Sequence, residues 1–252
     1  MVDTLAAPQL DGIRDVIREP LATLVLQLQT LLGDNLKSVV VVGSALTDDF
    51  RPGTSDVNTV VLLDHHDLAT LQVVASLAKI VRRHRLSAPL LMTPFYIERS
   101  RDVFGVEFLD LQLTHRTILG EDPFADMRIE KSDVRLQCER ELKATLVRLR
   151  QGYVAAVGDK GLVQDILIST AKGLVPLARA MLWLNGIERP RTMEAALKKA
   201  GAQFDVNLDS AIVAERWRHA KPRLAQEDIH TTFVALLDAV DRLTTTIDEM
   251  KL

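Results

Sequence analysis

The stretch VVVVGSALTDDFRPGTSDVNTVVLLD, residues 39–64, decides how the rest of the chain is read. It holds two apolar runs rich in valine; the first ends in Gly43-Ser44, and the second is entered through Asp56-Val57-Asn58. Neither run alternates apolar with polar residues, which is the pattern of a strand covered on both faces. A glycine at a strand end permits close backbone approach, and a tight turn or helix starting there leaves N–H groups for an anion such as phosphate. Because side chains alternate along a strand, Asp56 and Asn58 share a face, where a carboxylate and an amide oxygen can reach one hard cation.

Working outward, residues 9–33 place Ile13, Val16, Ile17, Leu21, Leu24, Val25 and Leu28 at helical spacing, with Pro20 expected to kink or divide the helix. After the two strands, DLATLQVVASLAKIVRRHRL returns to helical spacing, and Arg82, Arg83, His84 and Arg85 suit a helix C-terminus. LLMTPFYIERS and VFGVEFLDLQL read as two further strands separated by a turn at RSRD, an α/β order. From about Lys131 the β-branched runs give way to leucine and alanine at helical spacing. Helices are expected over 132–157, 161–186, 192–201, 208–219 and 227–250, with Ser132 and Thr192 as N-caps. The chain is therefore read as two domains, 1–130 with strands and 131–252 all helical.

With 47% hydrophobic and 26% charged residues over 252 positions, the composition is that of a globular protein with ample core. A formal net charge of −3 excludes the strongly basic footprint of a general nucleic-acid binder and leaves room for a local basic site. The single cysteine, Cys138, supports neither an internal disulfide nor a cysteine-rich zinc site and is expected to be a packing residue. Acidic residues and the lack of an unbroken apolar core near the N-terminus argue against a secretory signal, so a cytoplasmic protein is expected. GLVQDILISTAKGLVPLARAMLWLNG is interrupted by Asp165, Lys172 and Arg179, and is read as a buried helix rather than a membrane span.

Gly43-Ser44, a loop of moderate length, and then Ser55-Asp56-Val57-Asn58 opening an apolar strand resemble the DNA polymerase β-like nucleotidyltransferase superfamily, whose signature is Gly-Ser followed by Asp-x-Asp. The later segment RSRDVFGVEFLDLQLTHRTILGEDPF, followed by helices, is similar to bacterial members with a kanamycin-nucleotidyltransferase-like or HEPN-like helical bundle. The resemblance implies an α+β fold, a nucleotidyltransferase-like domain with a mixed sheet plus an all-α bundle, with the site in the cleft between them. It also implies that Gly43, Ser44 and Ser55 hold the triphosphate of an NTP substrate, and that Asp56 with a third acid on a later strand binds magnesium or manganese. Glu107 is the choice for that third acid and Asp110 the competitor. Either is then also placed to accept a proton from the acceptor hydroxyl, so that Asp56, Glu107 and Asp110 form the catalytic set and Asp56, Asn58 and Glu107 the metal set.

Asn58 stands where the family has its second acid. The amide keeps an oxygen ligand and removes a full negative charge, so a bridged metal pair is held more weakly. Two functions follow: transfer of a nucleoside monophosphate to an unidentified hydroxyl acceptor, small molecule or macromolecule, or a catalytically degenerate domain acting through nucleotide or protein binding. The resemblance leaves a homodimer open, and nothing in the sequence calls for a membrane partner. The net charge disfavours nucleic acid as a partner.

Plainer readings stand beside these. Gly53-Thr54-Ser55-Asp56 is turn-rich and on its own would simply begin a strand. Adjacent side chains diverge on an extended chain, so His65-His66 reads as a surface loop, and His115 as a packing residue between strand and loop. Arg223 and His230 superficially match a HEPN ribonuclease signature, but Leu224 and Pro222 depart from it. Lys143, Arg148, Arg150, Lys172 and Arg179 are candidates to meet a triphosphate from the helical part, against a bland reading as a solvated helical face. Trp183 and Trp217 read as core or interface aromatics, with no repeated base-stacking pattern around them.

Overall fold

The computed structural model describes residues 6–220 and 222–252. They form two compact units: one runs to Arg101 and resumes over Leu111–Arg128, and the other comprises Asp102–Asp110 and Ile129–Leu252.

The first unit is built on strands β1 (Leu36–Val42), β2 (Asn58–Leu63), β3 (Leu90–Met92) and β4 (His115–Gly120), in the spatial order β3-β2-β1-β4. β1 pairs antiparallel with both β2 and β4, while β2 and β3 run parallel, so the sheet is mixed. One face carries Val39, Val41, Val61, Leu63 and Ile118 into a core with Ile17, Leu21, Leu24, Val25 and Leu28 of helix α1 (Asp15–Leu32). Helices α2 (Leu68–Ser76) and α3 (Ala78–Arg83) add Val74 and Val81 to that core, and Leu77 between them adds its side chain too. On the opposite face Val40, Val42, Val60 and Leu62 are also buried, which accounts for the unalternated valine run. Pro20 sits within α1 without ending it, because the buried stripe on both sides of it outweighs one lost hydrogen bond.

Of the two further expected strands, one is cut short by a helix and the other is a helix from Gly105 onward. Only Leu90–Met92 of LLMTPFYIERS is extended; α4 (Pro94–Arg99) follows, with the Thr93 hydroxyl accepting from the Tyr96 N–H at 3.1 Å and proline in the first helical turn. A threonine N-cap followed by proline is a helix start. VFGVEFLDLQL forms helix α5 (Gly105–Leu113), whose buried Gly105, Val106, Phe108 and Leu109 recur at helical spacing beneath an apparent alternation. The sheet is completed instead by HRTILG as β4.

The second unit is a helical bundle of α6 (Lys131–Ala156), α7 (Lys160–Leu184), α8 (Met193–Phe204), α9 (Asp209–Ala220) and α10 (Gln226–Glu249). Thr192 is at the N-cap of α8, whereas Ser132 lies one residue inside α6, which begins after Glu130. Among the described residues α7 is the one helix long and apolar enough to cross a membrane. Its apolar face is spent inside the bundle, where Val163, Leu167, Leu174, Met181 and Leu182 are buried. Cys138 is fully buried, and burial, with Glu107 and Glu141 adding to it, pushes its thiol up to about 12. It is therefore an inert packing group.

The Gly105–Asp110 part of α5 belongs to this bundle and is locked to it at two points. A Cβ at Gly105 would meet Val134 at 2.9 Å, so glycine permits the close approach of α5 to α6. Gln137 of α6 accepts from the Val106 N–H at 2.9 Å and donates to Glu107 at 2.6 Å. Farther along, the buried Arg179 of α7 donates to Asp110 at 2.7 Å and to the carbonyls of Pro190 and Arg191, while Arg189 donates to the Leu109 carbonyl. Removing one partner of such a pair strands the other in low dielectric. Arg179→Ala is expected to destabilise the protein by on the order of 3 kcal/mol, read from urea unfolding, whereas the exposed Arg216→Ala should cost less than about 1 kcal/mol.

Candidate functional site

In the first unit the residues of the opening stretch converge. β1 is in register with Val42 opposite Asn58 on one side and His115 on the other. At the end of β1, Gly43 takes a φ of +75°, which turns the chain into a single 3-10 turn over Gly43–Leu46. A Cβ built there would lie 3.8 Å from the Asn58 amide nitrogen, so the turn and Asn58 are immediate neighbours. The Gly43 N–H is already committed to the Thr114 carbonyl at 2.9 Å. The donors that remain are those of the following residues, since the first N–H groups of a helical turn have no partner within it. The half-buried Ser44 hydroxyl makes no hydrogen bond among the described residues, and its carbonyl closes the turn by accepting from the Thr47 N–H.

Asp56 and Asn58 are both exposed, on either side of the buried Val57. The Asp56 carboxylate makes no ion pair among the described residues. Ser55, in contrast, is buried, and its hydroxyl accepts from the Arg51 N–H at 3.0 Å, so it closes the loop leading to Asp56.

One contributor has no counterpart in the sequence pattern. Arg14, just before α1, donates to the Ala45 carbonyl at 3.3 Å and to the Thr47 carbonyl at 2.5 Å, with its guanidinium 5.6 Å from the Phe50 ring centre. It clasps the Gly43–Leu46 turn to the start of α1, across thirty-one residues of chain. No local motif announces such a contact; only the number of cations near the first helix hints at it.

His115 is used up by the fold. Its Nδ1 faces the carbonyls of Leu111 and Gln112 at 3.0 and 3.1 Å, its Nε2 lies 2.9 Å from Asp122, and Phe124 packs edge-on against the ring. This is the packing role between strand and loop that the sequence suggested. The superficial ribonuclease match has no shared helix behind it, because α10 starts at Gln226 and leaves Arg223 outside. The Nδ1 of His230 instead lies 3.4 Å from the Tyr153 hydroxyl.

The third acid is where the structure departs furthest from the expectation. Glu107 and Asp110 are on helix α5 rather than on a strand, with their carboxylates bonded to Gln137 and Arg179 in the helical bundle. β3, which lies beside β2, offers Leu90, Leu91 and Met92, and the other three strands, LKSVVVV, NTVVLL and HRTILG, contain no carboxylate either. Among the described residues no group of three or more His, Cys, Asp or Glu side chains is placed to hold a metal ion. Beside Gly43, Asn58 thus offers an amide where the resemblance calls for a second carboxylate, which weakens the hold on a bridged pair of magnesium ions. The cations proposed for a triphosphate are also largely committed within the bundle: Lys143 to Glu139 and Asp248, Arg150 to Asp241, and Arg179 to Asp110.

In fold, the chain is similar to a spectinomycin adenyltransferase from Enterococcus faecialis solved with ATP and spectinomycin. The TM-score is 0.55 at 13% identity, over 88% of this chain and 98% of that one. No family model matches the sequence, and no curated protein matches it. The chain has the α+β nucleotidyltransferase fold, a mixed four-stranded sheet with a helical C-terminal part, as the Gly43-Ser44 and Asp56-x-Asn58 pattern implied.

The Asp122 pairing beside the turn has a consequence for pH. Burial raises the Asp122 carboxyl, but the His115 hydrogen bond and the Phe124 N–H outweigh it and hold the group below its usual value of 3.8. A carboxyl lowered on folding stabilises the protein above its unfolded value and loses that effect as pH falls through the folded one. Asp122→Asn should therefore lower the melting temperature at neutral pH, and the gap from wild type should close as the buffer is taken below 3.8.

Proposed function

We propose that this chain is a nucleotide-binding protein on the nucleotidyltransferase fold, in which the Gly43-Ser44 turn receives a nucleoside triphosphate and two-metal transfer chemistry has been lost. The observation that supports this reading is that residue 58, where the resemblance calls for a second acid, is Asn58, and that no strand of the sheet contains a carboxylate. The Gly43–Leu46 turn, clasped by Arg14 and free of any side chain at Gly43, keeps the shape that lets phosphate approach backbone. Asp56 and Asn58 border it, Asp56 as an acceptor for a sugar hydroxyl or a single hydrated cation, and Asn58 as an uncharged group beside the phosphates. Replacing the carboxylate at 58 by an amide removes repulsion toward a triphosphate, which suits binding without a metal. Output then passes through protein contacts, as in a regulatory module.

A second reading is supported by the likeness to an enzyme solved with ATP and spectinomycin, which spans nearly the whole of that chain. On it, the protein transfers a nucleoside monophosphate from ATP or another NTP to a small hydroxyl compound, with magnesium, and Asp56 and Glu107 are its acids. Pyrophosphate release separates the two. Wild type incubated with each of the four NTPs, magnesium or manganese and a panel of aminoglycoside and other hydroxyl acceptors is expected to release none above the protein-free rate. On the first reading Asn58→Asp alone should not restore it, because Glu107 stays bonded to Gln137. Release by wild type that disappears in Asp56→Ala would establish the second reading instead.

A further inference from the structure

A hollow in the helical unit lies between α6 and α7, away from the Gly43 turn in sequence and lined by residues of the bundle alone. Thr145, Arg148, Gly152, Ala155 and Ala156 line one wall and Leu162, Asp165, Ile166, Ser169, Thr170 and Gly173 the other, around about 670 Å³ of space. From Leu162 to Gly173 the α7 wall covers three turns, about 16 Å of helix. Small residues on both walls keep the groove open along this length. Its two glycines differ in a telling way. A Cβ at Gly152 would meet Ile166 at 2.7 Å, so Gly152 serves the approach of α6 to α7. A Cβ at Gly173 would meet nothing within 4 Å. Glycine in the middle of a helix costs about 1 kcal/mol relative to alanine, and nothing inside the chain requires it at Gly173.

Charge distinguishes the walls. Arg148 on α6 is exposed, its bond to the Thr145 hydroxyl at 2.9 Å supplemented by Glu141 at 3.8 Å, while the exposed Asp165 on α7 makes no ion pair or hydrogen bond among the described residues. A groove with one exposed arginine on one wall, one exposed aspartate on the other and small residues between them is complementary to itself. When a two-fold axis passes over it, each copy's α6 wall faces the other's α7 wall, which is the reciprocity an isologous contact demands.

We infer that the α6–α7 groove is the contact face of a homodimer. The α6–α7 hairpins pack antiparallel across a two-fold axis, Arg148 of each chain pairs with the partner's Asp165, and Gly173 gives the backbone clearance for the opposing helix. The inference is independent of the nucleotide reading, since it uses no residue near Gly43. A small apolar ligand would also fill the volume, but it would give no reason for opposite charges on facing walls.

The test is the solution mass of the full chain by sedimentation equilibrium over a dilution series, with far-ultraviolet circular dichroism to confirm folding. Wild type should have twice the 28.0 kDa chain mass. Gly173→Leu fills the groove at a position with open space and improves helix propensity, so it should halve the mass while leaving helicity intact. Asp165→Arg and Arg148→Glu should each halve it, and the double variant Arg148→Glu/Asp165→Arg should restore the dimer with the pairs reversed. A wild-type chain that stays at its monomer mass would overturn the inference, all the more plainly if an apolar dye bound and was expelled by Gly173→Leu, the sign of a small-molecule groove. So would a dimer that survives Gly173→Leu, or single charge variants that dissociate and are not rescued by the double.

Discussion

Strand β1 has a hydrogen-bonded partner on each edge and buried valines on each face, and the geometry around Gly43 depends on that double enclosure. A strand so confined has no freedom in register, because slipping by one residue would exchange its two buried faces and misplace every partner. Its end is therefore a fixed point. Val42 sets Asn58 on one side and His115 on the other, and the Thr114 carbonyl draws in the Gly43 N–H. From this point the chain must turn sharply, which the positive φ of glycine allows, and the turn is then held by Arg14 from the start of α1. A phosphate turn needs this kind of rigidity, since backbone N–H groups select an anion only when they are aimed before it arrives.

The stretch that decided the fold was legible because both of its strands are covered on two faces, so their composition alone marks them as β. Gly43 and Asn58, linked in the sequence by a resemblance, are neighbours at one end of the sheet, with Val42 opposite Asn58. The later segment was misread for a physical reason. Val106, Phe108 and Leu109 lie on a helix whose buried face is short, and over so few residues the helical and alternating patterns overlap. The Thr93-Pro94 helix start in the preceding segment was a readable signal that pointed the right way. Arg14 lay beyond any local reading, because its contacts span the distance from the first helix to the turn and no spacing rule connects them.

That misreading changes the chemistry. As a strand, residues 103–113 offered Glu107 or Asp110 to complete a metal site; as a helix, they spend both acids on holding α5 in the bundle through Gln137 and Arg179. Where β3 pairs with β2 the sheet carries apolar side chains, Leu90 and Met92 lying opposite Val60 and Leu62.

The central claim is that the Gly43 turn binds a nucleotide without depending on a metal ion. Calorimetric titration of the purified chain with ATP, GTP, CTP and UTP, each in magnesium and again in EDTA, measures this directly. The account predicts that at least one nucleotide binds and that its affinity is essentially the same in both buffers. Binding that appears only with magnesium and vanishes in Asp56→Ala would contradict it and reveal a working metal site, and no binding of any nucleotide would show that the turn has lost its ligand as well as its acids.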